Sequence, residues 1–162
     1  MRRGLRNFTG SQVRRRLAAA TVSPDMPLKM STISRNAGAV LDELTIDLNV
    51  GDSRKMDRGL GYMPVHAECL HRTGLGLLYS VAHYYEQNGD LVPDPEVVFV
   101  CRADGWSPIS FQNSIAFRVA VHFHEDSTIE VDEKEQRDLV QFANHWMGNI
   151  QEQQGLSPRR TR

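Results

Sequence analysis

The chain has 162 residues, 40% apolar and 24% charged, which suits one domain with a real core plus a short extension, and not two domains. No run approaches the roughly 18 apolar residues of a membrane-spanning helix, so a soluble protein without a membrane partner is expected. The formal net charge of −1 conceals an asymmetry: residues 1–29 hold seven basic side chains against Asp25 alone, a balance of +6, so the other 133 residues carry −7. An acidic body argues against a broad phosphate-binding surface on the folded part.

Residues 1–29 are rich in Arg, Ser and Ala and lack apolar periodicity, which predicts a disordered basic segment. Three readings compete. The segment is an arm for nucleic acid, densest at Arg14, Arg15 and Arg16; or an organellar transit peptide; or the product of a start assigned upstream of Met30, immediately after which the ordered pattern begins. Arg2-Arg3 is no twin-arginine signal, because no adequate apolar region follows. A single domain is expected over 30–155 and a frayed tail over 156–162.

Ala37, Val40, Leu41, Leu44 and Leu48 fall at i, i+3, i+4, i+7 and i+11, one stripe of a helix predicted over 34–49, with Ser34 as N-cap and Gly51 past its end. β segments follow. Residues 62–71 alternate imperfectly, with Pro64 confined to a strand start or edge, and 75–86 are apolar on both faces, as a central strand is. Residues 96–103 form another strand, with a hairpin turn at Asp104-Gly105. Residues 116–124 (AFRVAVHFH) alternate most clearly, with Phe117, Val119, Val121 and Phe123 toward a core and His122 and His124 on the wet face. Asp132 with Glu135 forms a capping box opening a helix whose stripe is Leu139, Phe142, Ala143, Trp146 and Ile150, with Gly155 as the stop. The prediction is α+β: an antiparallel meander of about four to five strands flanked by an N-terminal and a C-terminal helix, in a two-layer sandwich.

The chemistry-bearing stretch is 83–96, HYYEQNGDLVPDPE, with three rings and four carboxylates. Asn88-Gly89 is a two-residue turn signal, and Pro93 and Pro95 stiffen a loop around Asp94. As a site, the stretch offers His83, Tyr85, Glu86, Asn88, Asp90, Asp94 and Glu96 to a binding partner. As bland structure, it is a hairpin whose polar groups cap backbone. A catalytic use would enlist Glu86, Asp90, Asp94 and Glu96 as acid/base groups or ion ligands, but no lysine follows in CRADG.

A metal, if any, would take His83, Glu86, His122 and His124, since the two last histidines project from one strand face about 7 Å apart. Otherwise these histidines are the polar side of a solvated sheet. Phosphate-loop, dinucleotide, nucleophile-elbow and HExxH patterns are absent, so no cofactor is expected and no catalytic residue is assigned. Cys69 and Cys101 lack a CxxC partner, which suits buried thiols in a reducing cytoplasm. Tyr79, Tyr84, Tyr85, Phe99 and Trp106 have no accompanying Lys or Arg for stacking nucleic-acid bases, so they read as core or as a protein-binding face.

DSRKMD, YMPVHAE, SVAHYYEQNGDLVPDPEVVF, WSPISFQ and FANHWMGNIQEQQG together resemble an uncharacterised bacterial family of unknown function, associated with plasmids and integrative elements. The likeness covers about 34–155, and HYYEQNGDL followed by DPE is its most specific part; Cys69 to Gly74 departs from it, as though an extra charged turn disturbed strand pairing. The resemblance implies a bacterial cytoplasmic protein of a mobile element and imports no activity. The leading expectation is a non-enzymatic accessory protein that binds a protein partner through 83–96, in counter-defence or transfer. A small metal-dependent hydrolase or nuclease is the alternative, and nucleic-acid binding through the basic arm a third. An exposed sheet edge beside the stretch would also permit a homodimer.

Overall fold

A computed structural model describes residues 28–157; the arm with Arg14, Arg15 and Arg16 and the end of the tail lie outside the described residues. Within them the order is α1 (Arg35–Thr45), β1 (Ser53–Met56), β2 (Val65–Thr73), β3 (Gly76–Gln87), β4 (Asp90–Arg102), β5 (Gly105–Gln112), β6 (Phe117–Val119), β7 (Val121–Phe123), β8 (Ile129–Val131) and α2 (Glu133–Gln153). Strands β1 to β6 form one antiparallel meander in sequence order, and β7 with β8 forms a separate hairpin. The α+β class and the helix, strands, helix order are as predicted. The strand count is six plus two rather than four to five.

The helices form where capping and periodicity require them. Ser34 Oγ accepts the Ala37 N–H at 3.2 Å, and Ala37, Val40, Leu41 and Leu44 are buried. α1 stops at Thr45 rather than 49 because Asp47 adopts a left-handed φ of 60°. Arg54 of β1 then donates to the freed carbonyls of Leu44 (3.3 Å) and Ile46 (2.7 Å). At α2, Asp132 Oδ1 accepts the Glu135 N–H at 2.9 Å, while the Glu135 side chain pairs with Arg118 of β6 instead of closing the box.

Alternation along β2, β3 and β4 separates two cores. Val65, Ala67, Cys69, Tyr79, Val81, Val97 and Phe99 face α1 and α2, where they meet Leu41, Leu44, Trp146, Met147 and Ile150. Leu78, Val98, Val100 and Ile109 point to the opposite face, beneath Val121, Phe123, Ile129 and Val131 of the β7–β8 hairpin. The sandwich therefore has its helical layer on one face and a small hairpin over part of the other.

Three predicted strand details are corrected. Residues 116–124 are not one strand: at Ala120 the chain leaves the large sheet, its N–H going to Ile109 O (2.8 Å) and its carbonyl accepting from Asp132 N (2.8 Å). Phe117 is consequently exposed rather than core, while Ala120 is buried. The β4–β5 loop is Ala103-Asp104, with Gly105 opening β5 opposite Arg102. Between Cys69 and His71 the register shifts by a bulge, and β2 still pairs with β3 down to Thr73↔Gly76.

Gly76 sits at φ +142°, and a Cβ there would collide with the Cys101 carbonyl. In urea denaturation, Gly76→Ala is expected to cost more than about 2 kcal/mol, whereas Gly59→Ala, at φ +66° in open space, should cost about 1 kcal/mol. Leu41→Ala, in the heart of the helical core, should cost about 2–5 kcal/mol.

Candidate functional site

HYYEQNGDLVPDPE is the tip of the β3–β4 hairpin. Asn88 (φ 53°) and Gly89 (φ 83°) form the two-residue turn, closed by the pair Gln87↔Asp90. Pro93 to Pro95, expected as a stiff loop around Asp94, lie within strand β4: Tyr85 pairs with Val92 and Tyr84 with Pro93. The register jumps from Tyr84↔Pro93 to Ala82↔Glu96, so Asp94 and Pro95 form a bulge opposite His83. β2 pairs with β3 as far as His66↔Ala82, and β5 pairs with β4 as far as Gln112↔Glu96. Beyond those pairs the hairpin continues as a two-stranded ribbon, about 13 Å long at 3.3 Å per residue.

The candidate residues are divided between the two sides of this ribbon. His83 points to the helical core: it is buried, with Nδ1 3.0 Å from Pro64 O and its ring edge-on to Trp146 at 5.6 Å. Tyr85 alternates onto that same side, and Glu86 onto the other, exposed. Asn88, Asp90 and Asp94 are exposed along the tip and bulge. Glu96 is buried at the ribbon's base, facing away from the helices.

His122 and His124 lie in the separate β7–β8 region, where His124 Nε2 is 3.1 Å from Glu130 Oε2. The structure thus does not bring His83, Glu86, His122 and His124 together, and no group of three or more His, Cys, Asp or Glu suited to a metal ion occurs among the described residues. Tyr79, Phe99 and Trp106 are buried, and Trp106 Nε1 donates to Asp42 Oδ1 at 2.8 Å. Cys69 and Cys101 are free thiols, both raised from their usual pKa chiefly by burial.

A group that the sequence reading missed lies on the face turned from the helices. Ser80 Oγ donates to Glu96 Oε1 at 2.6 Å, and both residues are more than nine-tenths buried. Strand register aligns His66, Ala82, Glu96, Gln112 and Phe117 in one row across β2 to β6. The His66 ring meets Tyr84 edge-on at 5.1 Å. The available signal was parity: Ser80 and Glu96 are polar positions inside otherwise apolar strands, and the pairing that joins them is not written in either segment.

Burial, reinforced by Lys55 and His83, lowers the His66 pKa from the usual 6.5. The folded protein therefore binds this proton less readily than the unfolded chain. Stability contributed by His66 is present above pH 6.5 and falls as the pH drops below it. An NMR titration should place the His66 midpoint below 6.5, and Lys55→Ser should move it upward.

No helix among the described residues is long and apolar enough to cross a membrane. No curated protein and no solved structure matches the chain. A family model does match, over residues 23–156, which takes in both helices, the whole sheet and the ribbon: the chain belongs to the family described as "Domain of unknown function (DUF6908)".

Proposed function

We propose that this domain is a non-enzymatic protein-binding module whose β3–β4 ribbon is the contact surface. Its setting, by the resemblance of its sequence, is the cytoplasm of a bacterium, as the accessory product of a mobile element active in counter-defence or transfer. The carrying observation is the ribbon itself, which stands beyond its neighbouring strands and presents Leu91, 68% exposed, among Glu86, Asp90 and Asp94. An exposed apolar anchor ringed by charge has the make-up of an interface centre with its rim. The metal-dependent hydrolase has no assembled ligand set among the described residues, and the basic arm lies outside them.

The test is a pull-down from a bacterial host with wild-type protein, Leu91→Asp, the double variant Glu86→Lys/Asp90→Lys, and Lys134→Glu on α2 as a control. Wild type and Lys134→Glu should retain a common partner that both ribbon variants lose. The same set of proteins on all four baits would rule the ribbon out as the contact surface.

A further inference from the structure

The two ends of the large sheet differ in what they expose. In a meander of antiparallel strands, the β1–β2, β3–β4 and β5–β6 connections share one end, where Met56↔Val65, Gln87↔Asp90 and Gln112↔Phe117 are the last pairs. The β2–β3 and β4–β5 turns close the other end, at Thr73↔Gly76 and Arg102↔Gly105. Among the described residues eight large apolar side chains are exposed, and six of them lie at the first end. Leu60, Tyr62 and Met63 occupy the β1–β2 connection, Leu91 adjoins the β3–β4 turn, and Ile115 and Phe117 belong to the β5–β6 turn. At the second end Gly74, Ala103 and Asp104 are exposed, while Leu75 packs under the β7–β8 hairpin. Exposed apolar residues scattered singly carry no meaning, but a gathering of them on one surface marks a contact site.

The two flanking connections are held in shape. Gln154 grips both feet of the first, accepting from Arg58 N at 3.3 Å and donating to Met63 O at 3.2 Å, so Leu60 (69% exposed) and Tyr62 stand between fixed points. In the other, Asn113 Oδ1 accepts from Ile115 N at 3.0 Å and Ala116 N at 2.7 Å, which leaves Ile115 90% exposed at the tip. Apolar groups fixed in advance lose little freedom on docking.

Charge and shape narrow the occupant. Over residues 57–64, 84–95 and 113–117, Asp57, Glu86, Asp90 and Asp94 stand against Arg58, a balance of −3, and all five are exposed. That balance repels anionic lipid, nucleic acid and the same end of a second copy, and favours a basic protein surface. The flanking connections lie about 19 Å apart, four strand spacings of about 4.8 Å, with the ribbon midway and projecting about 13 Å beyond its neighbouring strands. A single surface reaches all three only if it is concave.

Deepening the protein-binding reading above, on which it rests, we propose that this end of the sheet docks a partner protein bearing a groove with a basic floor and apolar lips. The ribbon enters the groove. Leu60 and Tyr62 seat on one lip, and Ile115 and Phe117 on the other.

The test places the photo-crosslinking residue p-benzoylphenylalanine, in the full chain in a bacterial host, at Leu60, Leu91, Ile115 or, at the opposite end of the sheet, Asp104. One and the same protein should be joined from the first three positions and not from Asp104. That protein, identified by mass spectrometry and purified, is then titrated with wild type, Leu60→Ser/Tyr62→Ser and Ile115→Ser. Each variant should bind about tenfold more weakly with its thermal midpoint within about 2 °C of wild type, since the changed side chains are exposed. Binding should also weaken as salt rises from about 50 to about 300 mM.

Equal joining from Asp104, unchanged affinity in both variants, or affinity indifferent to salt would overturn the proposal. So would adducts made of two copies of this chain, or retention on phosphatidylglycerol vesicles in place of a protein adduct. Joining from Leu91 alone would sink this inference and leave the ribbon standing as the contact surface, whereas no adduct from any position would remove both.

Discussion

The register between β3 and β4 is the constraint on which the rest of the molecule depends. Both strands are apolar on both faces through their middle, so alternation alone would tolerate a slip of one residue. Two local devices oppose it. The Asn88-Gly89 turn, with positive φ at both positions, closes on Gln87↔Asp90, and the bulge at Asp94-Pro95 absorbs one extra residue before Ala82↔Glu96. A one-residue slip of β4 against β3 would turn Glu96 into the helical core, away from Ser80, and break their 2.6 Å hydrogen bond. The polar pair thus selects one register among pairings of similar apolar content.

Around this hairpin, α2 holds the remaining chain by three amide side chains. Gln136 accepts from Ser31 N at 2.7 Å and donates to Pro108 O at 3.3 Å. Gln154 accepts from Arg58 N at 3.3 Å and donates to Met63 O at 3.2 Å, and Asn144 accepts from Ser34 N at 2.8 Å. Gln136 and Gln154 are almost fully buried, and each is used at both ends of its amide. One helix, with its C-cap Gln154, thereby fixes the approach to α1, the middle of β5 and the loop before β2. That loop in turn supplies Pro64 O, which anchors His83 beneath the ribbon.

What could be read beforehand was what is local in sequence. The Ser34 and Asp132 N-caps, the helical stripes apart from Leu48, which falls beyond the end of α1, and the Asn88-Gly89 turn each rest on contacts within a few residues, and each formed. What could not be read depends on distant partners. The sharp alternation of AFRVAVHFH conceals the exit at Ala120, because that break is made by Ile109 and Asp132. His83 keeps company with carboxylates in the sequence, yet its neighbours in space are Pro64 and Trp146. Bulges near Leu70, Ile109 and Asp94 each shift parity between strands, so which residues share a face follows from the sum of three shifts. The row linking His66, Glu96 and Phe117 was therefore invisible from any one segment.

Pro93 has a consequence for the ribbon's free edge. Counting from the Gln87↔Asp90 pair that closes the turn, Leu91 and Pro93 direct their backbone outward, away from β3. Pro93 has no N–H to offer there, and Pro95 follows in the bulge, so a strand approaching this side finds a ladder with missing rungs. A projecting hairpin with intact edges would be a template for runaway strand addition between copies. The same prolines that shape the bulge thus blunt the β4 edge of a protruding β-element against strand addition and turn its contacts on that side toward side chains rather than backbone.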